Sequence, residues 1–384
     1  MTFRDRVGVG VLISASAFTL LPMSAIAPLL STIAANLGGG GDGALKAQSI
    51  ITLFGIGMMV GGPVSGWLGD RIGVRRMLLT MLLVYGVAGS AGLYLADLTA
   101  LLASRVVLGM AAAGIASASY VLIAARYDDR RRARMLGYQM VVISIVGVVS
   151  LLVAGLLARD IGWRAPFGIY LVAFAAFGAA CFATLPEPSR RPKAQLDGAT
   201  AAALWKLWPL YLMLVPLYIA TRMFTLQLSF VLAGDGIASP VTQSRIMTAL
   251  LATTFISGVA YGRLHERLGS RWTLVLILTV MAASDILLGV TRGIGPTIAA
   301  CMLAGLAGAA IVPYVIGAVL DRAAPEVQGR AVGFMYTAMF IGDFANPLVI
   351  NPLRAAVGNH GAFTVVGVAL LGAAAICAFR KEKA

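Results

Sequence analysis

The stretch Gly66-Trp67-Leu68-Gly69-Asp70-Arg71-Ile72-Gly73-Val74-Arg75-Arg76 recurs 196 residues later as Gly262-Arg263-Leu264-His265-Glu266-Arg267-Leu268-Gly269-Ser270-Arg271. Glycine, leucine, an acid, arginine, glycine and arginine keep their register, and each copy lies between two long apolar runs. The same offset links Gly109 to Gly305, Arg134 to Arg330 and Gly137 to Gly333. An offset held over this distance, in a chain this apolar, indicates a duplicated membrane half.

Composition agrees. The 384 residues are 59% hydrophobic and 12% charged, whereas a soluble domain carries roughly 25% charge. A net charge of +14 invites a nucleic-acid reading, but the basic residues form no face. They sit in short clusters between apolar runs, the arrangement of a polytopic membrane protein, and nucleic acid is excluded as a partner. Cys181, Cys301 and Cys377 fall inside apolar segments, and His265 and His360 at segment ends, so neither disulfides nor a metal centre is expected. No glycine-rich phosphate loop, nucleotide motif or Ser/His/Asp or Cys/His constellation appears, so the chain reads as neither an enzyme nor an ATP-driven pump and calls for no cofactor. Arg4 and Arg6 followed by an apolar stretch and Ala25-Ile26-Ala27 resemble a signal peptide, but Pro28 directly after that site argues for a retained first helix.

A spanning helix needs about 20 mostly apolar residues. Twelve segments qualify: 7–35, 47–68, 76–96, 99–125, 133–158, 164–185, 204–233, 242–262, 271–291, 294–319, 330–352 and 359–380. The expected fold is therefore all-α and integral to the membrane, with twelve transmembrane helices in two pseudo-symmetric six-helix halves, 1–185 and 204–384. Residues 186–203, the longest charged connection, join them. With the N-terminus inside, twenty-two of the thirty lysines and arginines fall on the inner face. Six (Lys46, Arg159, Arg164, Arg245, Arg292 and Arg354) fall outside, and Arg105 and Arg222 lie within helices. This bias puts both termini in the cytoplasm.

The loop Gly66-x-Leu68-x-Asp70-Arg71-x-Gly73-x-Arg75-Arg76 is similar to the signature loop of the major facilitator superfamily, and its second copy lies where that family repeats it. The resemblance covers essentially the whole chain and implies secondary transport of a small molecule by alternating access. The branch it resembles is drug and sugar efflux coupled to protons; the alternative is proton-linked uptake of a small organic anion held by Arg105 and Arg222. It further implies a monomer in the lipid bilayer, with protons and a small-molecule substrate as partners. In the family this loop latches the cytoplasmic helix ends, which assigns that role to Asp70, Arg71 and Arg75. Gly66, Gly73, Arg76 and, in the second copy, Gly262, Glu266, Arg267, Gly269 and Arg271 belong to the same latch. Gly66 and Gly73 are expected to let the backbone turn and the helices approach.

Helix 4 carries Arg105-Val106-Val107-Leu108-Gly109-Met110-Ala111-Ala112-Ala113-Gly114, similar to the family's R-x-x-Q-G-x-G-A-A element with Leu108 replacing glutamine. An arginine facing lipid costs roughly 3 kcal/mol or more, so Arg105 should face inward onto a carboxylate or carbonyl, or else reach the interface from near its helix end. In proton-linked relatives this arginine influences proton exchange. Helix 5 departs from the antiporter pattern G-P-x-x-G-G, reading Ser150-Leu151-Leu152-Val153-Ala154-Gly155, and helix 1 has no acid. The other intramembrane ionisable residues are Arg222, Asp285 and Asp343. Asp343 lies 13 residues beyond Arg330, roughly 20 Å along a helix and close to mid-bilayer. It is the first candidate for proton coupling, with Arg105 as a charge partner and Asp285 as a second acid; a structural ion pair with Arg222 is the plainer alternative. The run Gly342-Asp343-Phe344-Ala345-Asn346-Pro347 is expected to break its helix. Arg222, Tyr120, Tyr138, Gln139, Tyr218, Gln227, Tyr314 and Asn346 complete the candidate cavity set, because helices 1, 4, 5, 7, 10 and 11 line the cavity in relatives.

Overall fold

A computed structural model describes residues 2–38, 40–127, 129–184, 205–323 and 328–379, and every regular element among them is helical. Twelve helices follow one another among the described residues. Helix α1 runs in pieces, Phe3–Ser14, Ala17–Ile26, a 3₁₀ turn at Ala27–Leu29 and Leu30–Asn36. Then come α2 (Gly40–Ile72), α3 (Val74–Tyr94), α4 (Leu98–Arg126), α5 (Asp129–Asp160) and α6 (165–182). Helix α7 is also broken, into Trp208–Thr221, Met223–Leu226 and Leu228–Gly234. It is followed by α8 (240–268), α9 (270–290), α10 (Ile294–Leu320), α11 (328–357) and α12 (359–379). Among the described residues, nine stretches are long and apolar enough to cross a membrane. The number falls short of twelve because α8 joins α9 and α11 joins α12 through single-residue kinks, and because α7 is in pieces. Leu212, Met213, Ile256, Ile376 and Phe379 are among many large apolar side chains left exposed, as a lipid-facing exterior requires.

The chain divides into two compact units, Met1–Ile33 with Lys46–Ala194, and Ala34–Leu45 with Gln195–Ala384. The connection 186–203 lies outside the described residues. Each unit repeats the other's backbone at the 196-residue offset. Gly73 (φ +90°) and Gly269 (φ +72°) make the turns before α3 and α9, and Gly162 (φ +128°) and Gly358 (φ +78°) the turns before α6 and α12. Asp97 caps α4, its Oδ2 accepting the Ala100 N–H at 2.7 Å, and Gly293 opens α10 at the equivalent place.

The helix crossings repeat too. A methyl group on Gly109 of α4 would lie 2.1 Å from the Phe54 carbonyl of α2, and one on Gly305 of α10 2.1 Å from the Leu250 carbonyl of α8. Those pairs are offset by 196. Gly57 and Gly61 of α2 press on the backbone at Val106 and Met110. Their counterparts in α8 are hydroxyls: Thr253 donates to the Met302 carbonyl at 2.9 Å and Ser257 to the Leu306 carbonyl at 2.5 Å. Small residues bring helices close in a membrane, and hydroxyls do so while adding a hydrogen bond.

Two local expectations are corrected. Helix α2 continues through Gly66 to Ile72, and α8 passes Gly262 to reach 268, so the first glycine of each copy makes no turn. A glycine within a helix costs only about 1 kcal/mol; the turn falls at the second glycine, where φ is positive. Nor does Gly342–Pro347 break its helix. Helix α11 runs through Pro347 and first departs from helical geometry at Gly358, since proline removes one backbone bond that a packed transmembrane helix can forgo.

Candidate functional site

The polar interior of the second unit is organised by the two breaks in α7. Arg222 (φ −86°, ψ 0°) ends the first piece and Gln227 (φ −114°, ψ −26°) the second. Both side chains reach α11. Arg222 Nε donates to Asp343 Oδ1 at 2.6 Å and its NH2 group donates to the Tyr218 hydroxyl at 3.1 Å, with the guanidinium carbon 4.9 Å from the centre of the Tyr218 ring. Asp343 is 3% exposed, and its Oδ2 is buried with no hydrogen-bond partner among the described residues. One turn on, Gln227 Nε2 donates to Asn346 Oδ1 at 2.8 Å, and Asn346 Nδ2 donates to the Ile219 carbonyl at 2.8 Å. Two α7 breaks are thus matched by two polar residues of α11, three positions apart and on one helix face.

The network extends to a residue that sequence reasoning counted among outer loop charges. Arg354 of α11 donates to Gln227 Oε1 and to Asn359 Oδ1, both at 2.9 Å, and lies 4.6 Å from the centre of the Phe230 ring. Among the described residues it has no acidic partner. Beyond it His360 joins three helices. Its Nδ1 donates to the Leu288 carbonyl of α9 at 2.7 Å, and its Nε2 lies 2.9 Å from Asp235 at the end of α7. The offset held a signal for this contact: His360 corresponds to Arg164, which donates to the carbonyls of Gly92, the counterpart of Leu288, and Leu95.

In the first unit Arg105 is 1% exposed. Its NH2 group donates to the Ala88 and Gly89 carbonyls of α3 at 2.5 and 3.0 Å, and the rings of Phe167 and Tyr170 lie 5.2 and 5.6 Å from the guanidinium carbon. Its partners are carbonyls, the Ser104 hydroxyl and aromatic faces, and burial rules out the interface-reaching alternative. Gln139 is fully buried and donates to the Leu12 carbonyl and to Ser119, tying α5 to α1 and α4. Tyr120 and Tyr138 are exposed. Tyr314 of α10 is not with the Arg222 group: it accepts from Ser270, beside the repeated loop, and meets the His265 ring edge-on.

Of the loop residues, Arg271 donates to the carbonyls of Cys377 and Ala378 and so ties α9 to the end of α12. Arg71 covers the Trp67 ring at 5.2 Å, Arg75 is half-buried, and Arg76, Glu266 and Arg267 are exposed. The surroundings of Gly66 and Asp70 lie outside the described residues. Asp285 of α9 stands apart from the Arg222 network: it is 2% exposed and its Oδ2 is buried without a partner among the described residues.

Comparison with known proteins fits this architecture. Over 334 residues, 81% of this chain and 79% of the relative, it is 25% identical to the "Putative niacin/nicotinamide transporter NiaP" of Bacillus subtilis (strain 168). It is 24% identical over 149 residues to the "Multidrug export protein EmrB" of Escherichia coli (strain K12), a match covering 37% of this chain and 28% of that exporter. In fold it is similar to a bacterial homolog of the human lysosomal transporter Spinster, with a TM-score of 0.77 at 16% identity over 97% of this chain and 96% of that one. The sequence model described as Major Facilitator Superfamily matches residues 12–237 and again 210–384. Spanning nearly its whole length, these matches show that the chain belongs to the Major Facilitator Superfamily.

Proposed function

We propose that this transporter is proton-coupled and moves a small organic molecule across the bacterial inner membrane by alternating access, with both termini in the cytoplasm. The observation that carries the reading is Asp343: buried, bonded to Arg222 through one oxygen only, and set where α7 is broken. Intramembrane ionisable residues are costly and mark ion and substrate pathways, and discontinuous helices at such positions are the binding elements of many carriers. A proton arriving at Asp343 cancels its charge and leaves the Arg222 cation without its counter-ion. Arg222 then favours an anionic or strongly polar substrate group, which couples protonation to binding. Tyr218, Gln227 and Asn346 supply the polar surface around it. The repeated loops, with Asp70, Arg71, Arg75 and Arg271, act as the conformational latch, and residues 186–203 link the two moving halves.

Export is the direction implied by the resemblance of the loop to efflux carriers, and the partial similarity to EmrB supports it. A second reading, uptake of a small organic anion with a proton, has a specific observation in its favour. The similarity to NiaP runs through about four fifths of both chains, and the Arg222 network also holds Arg354, a second cation with no acid beside it. The test is proton movement in proteoliposomes across a panel containing pyridine carboxylates, other small acids and cationic dyes. Coupled movement with a carboxylate selects uptake; with a dye, export. Transport of a panel compound that moves no protons refutes the coupling.

A further inference from the structure

We infer that Asp285 and the cavity it lines form a binding site for one small monovalent metal cation, best matched by Na⁺. The cavity of about 10 Å³ lies among α7, α9 and α10, lined by Thr221, Phe224, Met281, Ser284, Asp285 and Gly308 with two alanines. Asp285 is 2% exposed, and among the described residues no side chain pairs with it. The two hydroxyls on the cavity wall cannot satisfy the carboxylate while they keep their present bonds. Ser284 gives its proton to the Met281 carbonyl at 2.7 Å and Thr221 gives its own to the Leu217 carbonyl at 2.8 Å. Each hydroxyl oxygen is left as an acceptor. The cavity therefore gathers oxygen lone pairs and a carboxylate with no donor, in otherwise apolar walls.

With Asp285 ionised, such a set calls for a positive charge, and its chemistry narrows the choice. All donors are hard oxygens, which suits alkali and alkaline-earth ions rather than thiophilic metals. No group of three or more His, Cys, Asp or Glu capable of holding a metal occurs among the described residues. With a single carboxylate, a divalent ion would leave a net positive charge against Phe224 and Met281, a costly arrangement. The volume suits a water-sized occupant, the size of a small bare ion.

The duplication supplies an independent argument. At the 196-residue offset Asp285 corresponds to Gly89 and Cys301 to Arg105. In the first unit the crevice between α3 and α4 is filled by the Arg105 cation, held by the Gly89 and Ala88 carbonyls. In the second unit the short, neutral, fully buried Cys301 stands in place of Arg105, and Asp285 adds a carboxylate side chain where Gly89 offers only its backbone carbonyl. The first unit carries its cation covalently; the second takes one from solution.

This site is independent of the Asp343 coupling reading, and its test needs no substrate. The full-length protein, purified in detergent, is melted across a roughly 100-fold range of NaCl, with choline chloride holding ionic strength constant. A bound ion raises the midpoint with concentration, so a rise of a few degrees is expected in Na⁺ and none in choline. Asp285→Asn, close in shape, should abolish the response and the binding of ²²Na⁺, and Thr221→Val should weaken both. Asp343→Asn should keep them, which separates this site from the coupling carboxylate. Equal melting of the parent in Na⁺ and choline, or an Asp285→Asn protein that binds ²²Na⁺ like the parent, overturns the proposal.

Discussion

Arg222 and Asp343, 121 residues apart in the chain, meet at 2.6 Å between Nε and Oδ1, the aspartate side chain only 5% exposed. The contact sits at a break in one helix and in the unbroken middle of another. Residues so placed are neither capping nor filling; they hold opposite charges in a low-dielectric interior, where each depends on the other.

That dependence can be measured. Removing one member of a buried pair leaves an uncompensated charge and costs about 3–5 kcal/mol, whereas replacing both with apolar residues is often neutral. Arg222→Leu alone and Asp343→Leu alone should each lower the melting temperature strongly, and the double variant should recover most of the loss. Additive losses in the double variant would mean that the two charges do not compensate each other.

The repeated crossings give a second expectation. Gly109→Ala and Gly305→Ala each force a methyl group onto a backbone carbonyl of the neighbouring helix, and overpacking of this kind costs about 1–3 kcal/mol. Gly262→Ala, in open space within α8, should be neutral or slightly stabilising, because alanine is the better helix former. Thermal unfolding of the three variants checks the ranking; a Gly262→Ala protein as damaged as Gly305→Ala would contradict the packing described here.

Much of this was legible in the sequence, and the reason is physical. Apolar length fixes where helices cross, so the twelve segments matched their helices to within several residues, the largest shift being the start of α2 at Gly40 rather than 47. The 196-residue offset survived in the glycines because a positive φ and a close backbone approach leave few other residues possible. Arg222 and Asp343 stood out as costly intramembrane charges, and each had been named as a possible partner of the other. What the sequence hid depended on direction around a helix axis and on tertiary support. Gly66 looked like a turn but lies within a helix that continues to Ile72. The Gly342–Pro347 run looked like a break, yet packing keeps α11 helical. Arg354 reads as a loop charge in the sequence, whereas in the fold Gln227 and Asn359 accept its hydrogen bonds.

The turn glycines carry a third expectation. Gly269 and Gly358 adopt φ +72°, ψ 172° and φ +78°, ψ 171°, a region open to glycine almost alone, where another residue costs of order 1–3 kcal/mol. Gly269→Ala should therefore destabilise although nothing crowds it, and Gly269→Asn should not rescue it, since asparagine tolerates the left-handed helical region but not this one. A melting temperature unchanged by either substitution would show that the kink between α8 and α9 does not need glycine.

The central claim is that Asp343 carries the coupled proton, and the most direct measurement compares Asp343→Asn with the parent in proteoliposomes, using a substrate found by the compound panel. Two assays run side by side: accumulation driven by an imposed pH gradient, and exchange of labelled for unlabelled substrate with no gradient. The account predicts that Asp343→Asn loses gradient-driven accumulation while keeping substrate binding and measurable exchange, which also shows the variant to be folded. Full gradient-driven accumulation by Asp343→Asn, at the parent's rate and level, would contradict it.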